Sequence, residues 1–241
     1  MRNAECGMRI EDCGLPTARA EYDAWADTYP AMAHNPVMRA EQALVESLLR
    51  RLAPRRALDV GTGSGRYLDL LTSLGARAVG IDFSMKMLTR SAALHACSSP
   101  KGLRYGHHVC ADARRLPIRS GSVDLVNASL MVGDISDLRA WAREMARALA
   151  DGGHLVYSDF HPNWTEFGWR RTFRDAAGAM HELAFEPHTV AQHLEALDAG
   201  GFRVRAVDEA RLVGRRDRAV RAFRARWGDP AVVVVLHAIR R

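Results

Sequence analysis

The sequence lacks long apolar runs and paired cysteines. Its longest purely aliphatic run covers residues 232–236, far short of the ~20 residues that a membrane-spanning helix needs. The four cysteines, Cys6, Cys13, Cys97 and Cys110, form no Cys-x-x-Cys pair, so the sequence offers no support for a zinc site. No apolar segment of the secretory type follows the first residues. We therefore predict no membrane segment and no metal, and we expect a cytoplasmic protein with reduced cysteines.

Lysine is nearly absent, because only Lys86 and Lys101 occur among the 34 basic residues. The formal net charge is +6, and residues 201–241 hold 11 arginines against four acidic residues. The basic excess therefore belongs to the last stretch. Its arginine-rich part, residues 211–226, could be a nucleic-acid footprint or a solvent-exposed helix. We favour the helix, expect it to lie away from the active edge, and predict no nucleic-acid partner.

Apolar segments alternate with helical patterns through most of the chain. The 241 residues are 48% hydrophobic and 26% charged, a balance typical of globular proteins. Helical patterns at 22–29 and 36–52 come first. Five predicted strands then alternate with helices, which is typical of parallel βαβ units; they cover residues 57–60, 76–82, 105–111, 123–128 and 154–160. A short connection between the last two strands, 202–207 and 231–239, favours an antiparallel final pair.

These elements predict an α/β fold with a doubly wound, mostly parallel, seven-stranded sheet and an antiparallel last strand. We expect a single domain, residues 1–241. Residues 15–53 would be an N-terminal helical lid and residues 54–161 the ligand-binding core. Residues 162–188 are too long for an ordinary connection, so we predict a hairpin that covers the active face. The last helix and the final strand pair fill residues 189–241.

A glycine loop follows the first predicted strand. Glycines occupy positions 61, 63 and 65, and Asp82 lies about 20 residues further on, at the end of the second strand. Ligands of such sheets bind beyond the carboxyl ends of the strands. A dinucleotide site would need Gly-x-Gly-x-x-Gly, but Arg66 occupies the third glycine position. Asp59, just before the turn, would repel a pyrophosphate and suits a ligand that carries an ammonium group.

Five segments occur in the order and at the spacing of one family: ALDVGTGSGRY (57–67), VGIDFS (79–84), CADARRLPI (110–118), SVDLVNASLM (122–131) and DGGHLVYSDF (151–160). On these segments the sequence resembles the class I S-adenosylmethionine-dependent methyltransferases. It is most similar to the small-molecule enzymes whose N-terminus reads YDxWAxxY, here at residues 22–29. The resemblance implies that S-adenosyl-L-methionine is the cofactor.

The resemblance also implies roles for ten cofactor-binding residues. Asp59 and the backbone at Gly61 and Gly63 would hold the aminocarboxypropyl end. Asp82 would bind the ribose, and Phe83 would pack on the adenine. Asp112 and Ala113 would contact the adenine edge. Ser129 would line the floor of the site, and Tyr22 and Tyr29 would close over it. Capping of the turn is the alternative role of Asp59, and packing of the N-terminal helix is that of the tyrosines.

We expect methyl transfer to an oxygen or nitrogen of a small, aromatic or partly apolar acceptor of the natural-product type. Trp164, Trp169 and His181 in the cover would bind this acceptor, although the hairpin's own core is an equal alternative for the aromatic residues. An RNA methyltransferase and a catalytically silent regulatory subunit are the competing functions. Two features of nucleic-acid methyltransferases are missing from the sequence. These are the Asn/Asp-Pro-Pro-aromatic run of enzymes that methylate base amino groups and a suitably placed catalytic lysine of the ribose 2′-O enzymes. We expect a monomer or homodimer.

His161 is the candidate catalytic base. It follows the fifth strand at its carboxyl end, and an imidazole with a pKa near 7 suits removal of the acceptor's proton. Alternation places Asp159 on the same face, where it could orient the ring. Asp134 and His181 are the other candidates, and simple hydrogen bonding of His161 to the hairpin backbone is the structural alternative.

Overall fold

The computed structural model describes residues 16–96, 107–214 and 216–241. Cys6, Cys13 and Cys97 and the start of the predicted third strand lie outside these residues. The helices are α1 (Pro16–Trp25), α2 (Pro36–Leu52), α3 (Arg66–Ser73), α4 (Met85–Ala96), α5 (Leu138–Ala148), α6 (Asn163–Phe167), α7 (Val190–Ala199) and α8 (Arg218–Trp227). The strands are β1 (Arg56–Val60), β2 (Arg77–Asp82), β3 (His107–Cys110), β4 (Val123–Ser129), β5 (Leu149–Phe160), β6 (Arg171–Arg174), β7 (Met180–Leu183), β8 (Phe202–Arg211) and β9 (Ala231–Arg240).

Seven strands form one sheet in the order β3-β2-β1-β4-β5-β9-β8. The first five pair in parallel, whereas β9 runs antiparallel to both β5 and β8. This topology confirms the predicted fold class. The order reverses between β1 and β4, so their carboxyl ends flank the crevice in which such sheets bind ligands.

The two faces of the sheet carry two separate apolar cores. On one face, α5 and α7 cover the sheet, with Trp141, Tyr157 and Leu197 fully buried. On the other face, α2, α3 and α8 cover the sheet, with Leu49 of α2 and Val233 of β9 fully buried. Successive residues of β5 and β9 point to opposite faces, so strands buried on both sides are apolar at nearly every position.

Local sequence signals set several element ends. The Asn35 Oδ1 accepts a hydrogen bond from Met38 N at 2.8 Å and caps α2, which ends just before Pro54. Ser84 Oγ accepts from Met87 N at 3.1 Å and caps α4. The first helix is different: α1 ends at Trp25, so Tyr29 lies in the following loop. Pro30 disfavours helical backbone at the residue before it.

Residues 162–188 contain the predicted hairpin, made by β6 and β7. The short helix α6 precedes it. Within the described residues, no helix is both long and apolar enough to cross a membrane.

The arginine-rich segment forms the predicted helix but not in the predicted place. Because β9 is antiparallel to β5, its first residues pair with the last residues of β5, Val233 with Phe160. Helix α8 immediately precedes β9, so it lies at the carboxyl edge of the parallel strands and not away from it. Its Val220 and Phe223 are buried, and Phe223 packs on Phe167 and Trp169 of the cover.

Candidate functional site

A cavity opens at the reversal point, beyond the carboxyl ends of β1, β2 and β4. Its space, counted together with its open mouth, is about 900 Å³. Nine of the ten predicted cofactor-binding residues line it: Tyr22, Tyr29, Gly61, Gly63, Asp82, Phe83, Asp112, Ala113 and Ser129. Residues that are distant in sequence therefore meet at one place.

The glycine loop needs glycine for two physical reasons. Gly61 and Gly63 have φ angles of +68° and +53°, which strain any residue with a side chain. A Cβ at Gly61 would lie 2.7 Å from the Cβ of Met131, and one at Gly63 would lie 3.4 Å from the ring of Tyr29. The loop therefore leaves its backbone exposed to the cavity, between the β4 end and the lid.

Asp82 is held by backbone amides at the centre of the cavity wall. Its Oδ2 accepts from Gly63 N at 2.9 Å and its Oδ1 accepts from Ser84 N at 2.9 Å. Each oxygen keeps a further lone pair, an arrangement that suits a vicinal diol. Burial raises the pKa of Asp82 to about 6, against the lowering effect of the two amides.

Asp59 does not line the cavity. It is buried beneath the loop, where its Oδ2 accepts from Thr62 Oγ1 at 2.6 Å and its Oδ1 accepts from Asn127 Nδ2 at 2.7 Å. These contacts tie the glycine turn to β4 and match the turn-capping alternative. Burial raises the pKa of Asp59.

Asp112 lines the cavity, yet Arg114 also binds its carboxylate. The Arg114 Nε lies 3.0 Å from both oxygens and Nη2 lies 2.6 Å from Oδ2, while Arg114 N donates to Oδ1 at 2.8 Å. Partial burial acts to raise the pKa of Asp112, but the hydrogen bonds and charge of Arg114 outweigh it and the pKa is lowered. The carboxylate is thus ionised at the cavity wall.

The structure places His161 away from the cavity, contrary to its predicted role. Its Nδ1 accepts from Asn163 N at 3.2 Å, and its Nε2 lies 3.5 Å from Glu209 Oε1 on β8. The cavity lies on the β4 side of β5, whereas His161 turns towards β9 and β8. The predicted orientation by Asp159 is absent too, because Asp159 Oδ2 lies 3.4 Å from His193 Nε2 on α7. His161 therefore bonds backbone, as in the structural alternative, but at the start of α6 and not in the hairpin.

The three predicted acceptor-binding residues also lie outside the cavity lining. Trp164 is buried and its Nε1 donates to Val232 O at 2.8 Å, and Trp169 packs against Trp164. His181 Nε2 lies 2.7 Å from Asp175 Oδ2, and its ring stacks on Phe173. The aromatic residues of the cover are therefore mostly its own core and its contact with α8.

A charged cluster that the sequence did not predict closes one end of the cavity. Tyr22 of the lid donates to Asp134 Oδ2 at 2.6 Å, and Arg171 of the hairpin donates from Nη1 to Asp134 Oδ1 at 2.7 Å. Arg171 Nη2 donates to the Tyr22 hydroxyl as well. Asp134 is in the short 3₁₀ helix after β4, Val132–Asp134. Three remote segments thus meet at one carboxylate.

A second unpredicted group is Glu41, which is fully buried under the glycine loop. Its Oε2 accepts from Tyr67 Oη at 2.8 Å and from Arg66 Nη2 at 2.9 Å, and its Oε1 accepts from Ser158 Oγ at 2.9 Å. Arg66, at the third glycine position of the motif, was the one feature of the Glu41–Arg66 pair that the sequence singled out. Its partner on α2 becomes apparent only in the folded chain.

In the described residues, no group of three or more histidine, cysteine or acidic side chains could hold a metal ion.

Comparison with known proteins gives the same picture. The family described as a methyltransferase domain matches residues 58–157. The chain is 30% identical to the demethylmenaquinone methyltransferase of Mycolicibacterium gilvum over 76% of its own length and 75% of that protein. It is 28% identical to the malonyl-[acyl-carrier protein] O-methyltransferase of Methylovorus sp. over 79% of its length and 64% of that protein. The chain spans about half to two thirds of the malonyl-carrier-protein enzymes that it matches.

A solved structure shares the fold. The S-adenosylmethionine-dependent methyltransferase of Mesorhizobium loti superposes with a TM-score of 0.65 at 25% identity, over 83% of this chain and 98% of that one. The predicted family, and S-adenosyl-L-methionine as its cofactor, are confirmed by these matches. With its glycine loop, its acidic strand ends and its strand order, the chain belongs to the class I S-adenosylmethionine-dependent methyltransferase family.

Proposed function

We propose that this protein transfers the methyl group of S-adenosylmethionine to an oxygen or nitrogen of a small, partly apolar acceptor. The observation that carries the proposal is the convergence of nine predicted cofactor-binding residues on one cavity. The named relatives act on a quinone precursor and on a malonyl carrier protein, which supports a small acceptor group without identifying it.

The residues of the cavity fit this cofactor. A Cβ at Gly61 would collide with Met131 and one at Gly63 would touch Tyr29. This bare backbone at the cavity wall supports Gly61 and Gly63 as the residues that hold the aminocarboxypropyl end. Asp82 offers two oxygens to the ribose hydroxyls. Asp112 and Ala113 lie where the adenine edge would reach the cavity wall. The bound cofactor would supply an electrophilic methyl group on a sulfonium.

The lid restricts access to the cavity. On the core side, Ser84 Oγ donates to Asp23 Oδ1 at 2.5 Å and Arg90 Nε donates to Tyr29 O at 2.8 Å. On the hairpin side, Trp25 stacks on Phe173 with 5.0 Å between ring centroids. A lid held on both sides keeps Tyr22 and Tyr29 against the cavity. We expect it to position the reacting groups there, and such positioning can supply much of the rate.

The wall nearest the β4 end is apolar. Leu130, Met131 and Ile135 line the cavity there, so an acceptor with a partly apolar body would be favoured over a highly polar one. Leu130 has a positive φ of 53°, and its N–H donates to Ser158 O and Oγ. This strained residue is part of the apolar wall.

Two measurements test the proposal. Calorimetry with S-adenosylhomocysteine should show one site per chain, and radiolabelled S-adenosylmethionine should give methyl incorporation into members of a panel of phenols, amines and acids. Folded protein that does not bind S-adenosylhomocysteine would refute the proposal. Binding without transfer to any small acceptor would instead favour the silent regulatory subunit.

A further inference from the structure

We propose that Asp134 forms the acceptor subsite of this cavity and that it selects a hydroxyl or amine donor over a carboxylate anion. The inference rests on the proposed function and adds to it the chemical class of the acceptor. It begins from the three carboxylates that line the cavity in the described part of the chain, Asp82, Asp112 and Asp134.

The proposed function assigns two of these carboxylates to the cofactor, Asp82 to the ribose and Asp112 to the adenine edge. Asp82 is held by the amides of Gly63 and Ser84 at the centre of the wall. Asp112 is bound by Arg114. Asp134 is set apart by its place, because it follows β4 on the segment that starts with Met131, whose side chain packs directly against Gly61. Its carboxylate lies at the end of the cavity that Tyr22 and Arg171 close.

The carboxylate of Asp134 is oriented and still has acceptor capacity. Its Oδ1 accepts from Arg171 Nη1 at 2.7 Å, and its Oδ2 accepts from Tyr22 at 2.6 Å and from Arg171 Nη2 at 3.5 Å. A carboxylate has about four lone-pair sites, so one site on Oδ1 stays open. Its side chain is 12% exposed and lines the cavity. Burial raises the pKa of Tyr22 well above its usual value, so the hydroxyl stays protonated and donates to Asp134.

The backbone under Asp134 is fixed from three directions. Glu186 N donates to Gly133 O at 2.6 Å, and His188 Nε2 lies 2.8 Å from Ile135 O. A Cβ at Gly133 would lie 3.1 Å from Asp159 Oδ1. The 3₁₀ helix therefore has little freedom, and Asp134 presents its oxygens in one direction.

Arg171 is a positioning residue and not an anion site. Its Nη1 donates to Asp134 and its Nη2 donates to Tyr22, and its side chain is 8% exposed. Both terminal nitrogens bind these partners, and Arg171 is not among the residues that line the cavity, so its guanidinium is not presented to a substrate carboxylate there. An acidic acceptor beside Asp134 would instead place a second carboxylate next to the first, and neighbouring like charges repel.

A hydroxyl or amine acceptor completes the arrangement. Its N–H or O–H donates to Asp134, which directs the lone pair of the same atom into the cavity. As that lone pair bonds to the methyl carbon, the electrons of the carbon–sulfur bond stay on sulfur, and the acceptor's proton leaves through the Asp134 carboxylate. The carbon–sulfur bond and the acceptor's bond to hydrogen break as the acceptor–methyl bond and the carboxylate's bond to hydrogen form, and no further reactant is needed.

Matched ligands test the selection without knowledge of the natural acceptor. We would measure binding of 2-naphthol and of 2-naphthoate to the protein saturated with S-adenosylhomocysteine, at pH 8. We expect 2-naphthol to bind about tenfold more tightly or better. Equal binding, tighter binding of 2-naphthoate, or no binding of 2-naphthol would overturn the inference. Failure of S-adenosylhomocysteine itself to bind would instead count against the proposed function.

Two variants should move this preference in opposite directions, which general unfolding cannot do. Asp134→Asn should bring the two affinities within about threefold of each other. Arg171→Met should increase the preference for 2-naphthol, because Asp134 then loses its compensating charge. Glu182→Gln, which removes an exposed hairpin carboxylate paired with Arg170, is the control and should change nothing. An unchanged preference in folded Asp134→Asn would also overturn the inference.

Discussion

The cofactor end of the cavity and the hairpin cover form their contacts in different ways. At the cofactor end, Gly61, Gly63 and Asp82 lie at or next to the ends of adjacent parallel strands, and β1 pairs with β2 residue by residue. In the cover, Trp164 and His181 leave the sheet on a short helix and a two-stranded hairpin. Their directions depend on what each packs against, and that is Val232 for Trp164 and Phe173 for His181.

The difference shows which positions in a sequence allow the place of a side chain in the fold to be predicted. A residue at the end of a parallel strand has its position set by the sheet, because neighbouring strands end at one edge. A residue in an insertion has no such constraint. The apolar surface that it buries decides its orientation, so an aromatic residue in the cover stabilises the cover more often than it meets a ligand.

The largest expected effect is at the glycine loop. Gly61→Ala should weaken S-adenosylhomocysteine binding by about 100-fold or more, because the new Cβ would collide with Met131 at a positive φ. Gly75→Ala is the matched control, since Gly75 has a φ of +87° but nothing within 4 Å of its Cβ position. It should lose about 1 kcal/mol of stability and keep its affinity, as calorimetry would show. Similar affinities in the two variants would contradict the close approach.

The next effect is a pH dependence at Asp82. Burial raises the pKa of Asp82 to about 6, so the carboxylate takes up a proton as the pH falls below that value. If ribose binding needs the ionised form, affinity for S-adenosylhomocysteine should be constant above pH 7 and about tenfold weaker at pH 5. Asp82→Asn should bind more weakly and show a much flatter profile. A wild-type affinity that stays constant down to pH 5 would rule out this role of the carboxylate.

A smaller effect is expected in the cover. Trp164→Phe removes the indole N–H that donates to Val232 O and leaves unfilled volume, so the free energy of unfolding should fall by about 1–2 kcal/mol. Denaturant unfolding would measure this change. Affinity for S-adenosylhomocysteine should stay within about twofold, because Trp164 does not line the cavity. A change confined to acceptor binding would restore its predicted role as an acceptor ligand.

The smallest effect is expected at His161. Because its ring nitrogens face Asn163 N and Glu209, His161→Ala should keep methyl transfer within about threefold of the wild type for any acceptor that the wild type methylates. A general base would cost about 10²-fold or more. Rates measured at saturating cofactor decide between the two, and a 10²-fold loss without unfolding would return the imidazole to the acceptor site.

Much of the cofactor end could be predicted from the sequence. The motifs at 57–67 and 79–84 placed Asp82 and the glycines, and the alternation of strands and helices predicted the sheet. Asp59 shows the limit of this prediction. The same motif predicted that Asp59 lies at the loop, but not that its carboxylate lies beneath the loop and binds Asn127 of β4. The pairing of Asp134 with Arg171 had no sequence signal, because the two residues are 37 positions apart on segments without a shared register.

The strands, the glycine turn and the acidic residue that ends β2 could be predicted from the sequence, because they depend on local backbone geometry and on periodicity. The tertiary structure decided which charged side chains meet. Glu41 of α2 pairs with Arg66, and Arg171 of the hairpin pairs with Asp134. The backbone N–H of His161 donates to Val232 O of β9, on the side away from the cavity. Buried charges must find partners when water is excluded, and the packing of distant elements determines which partners are within reach.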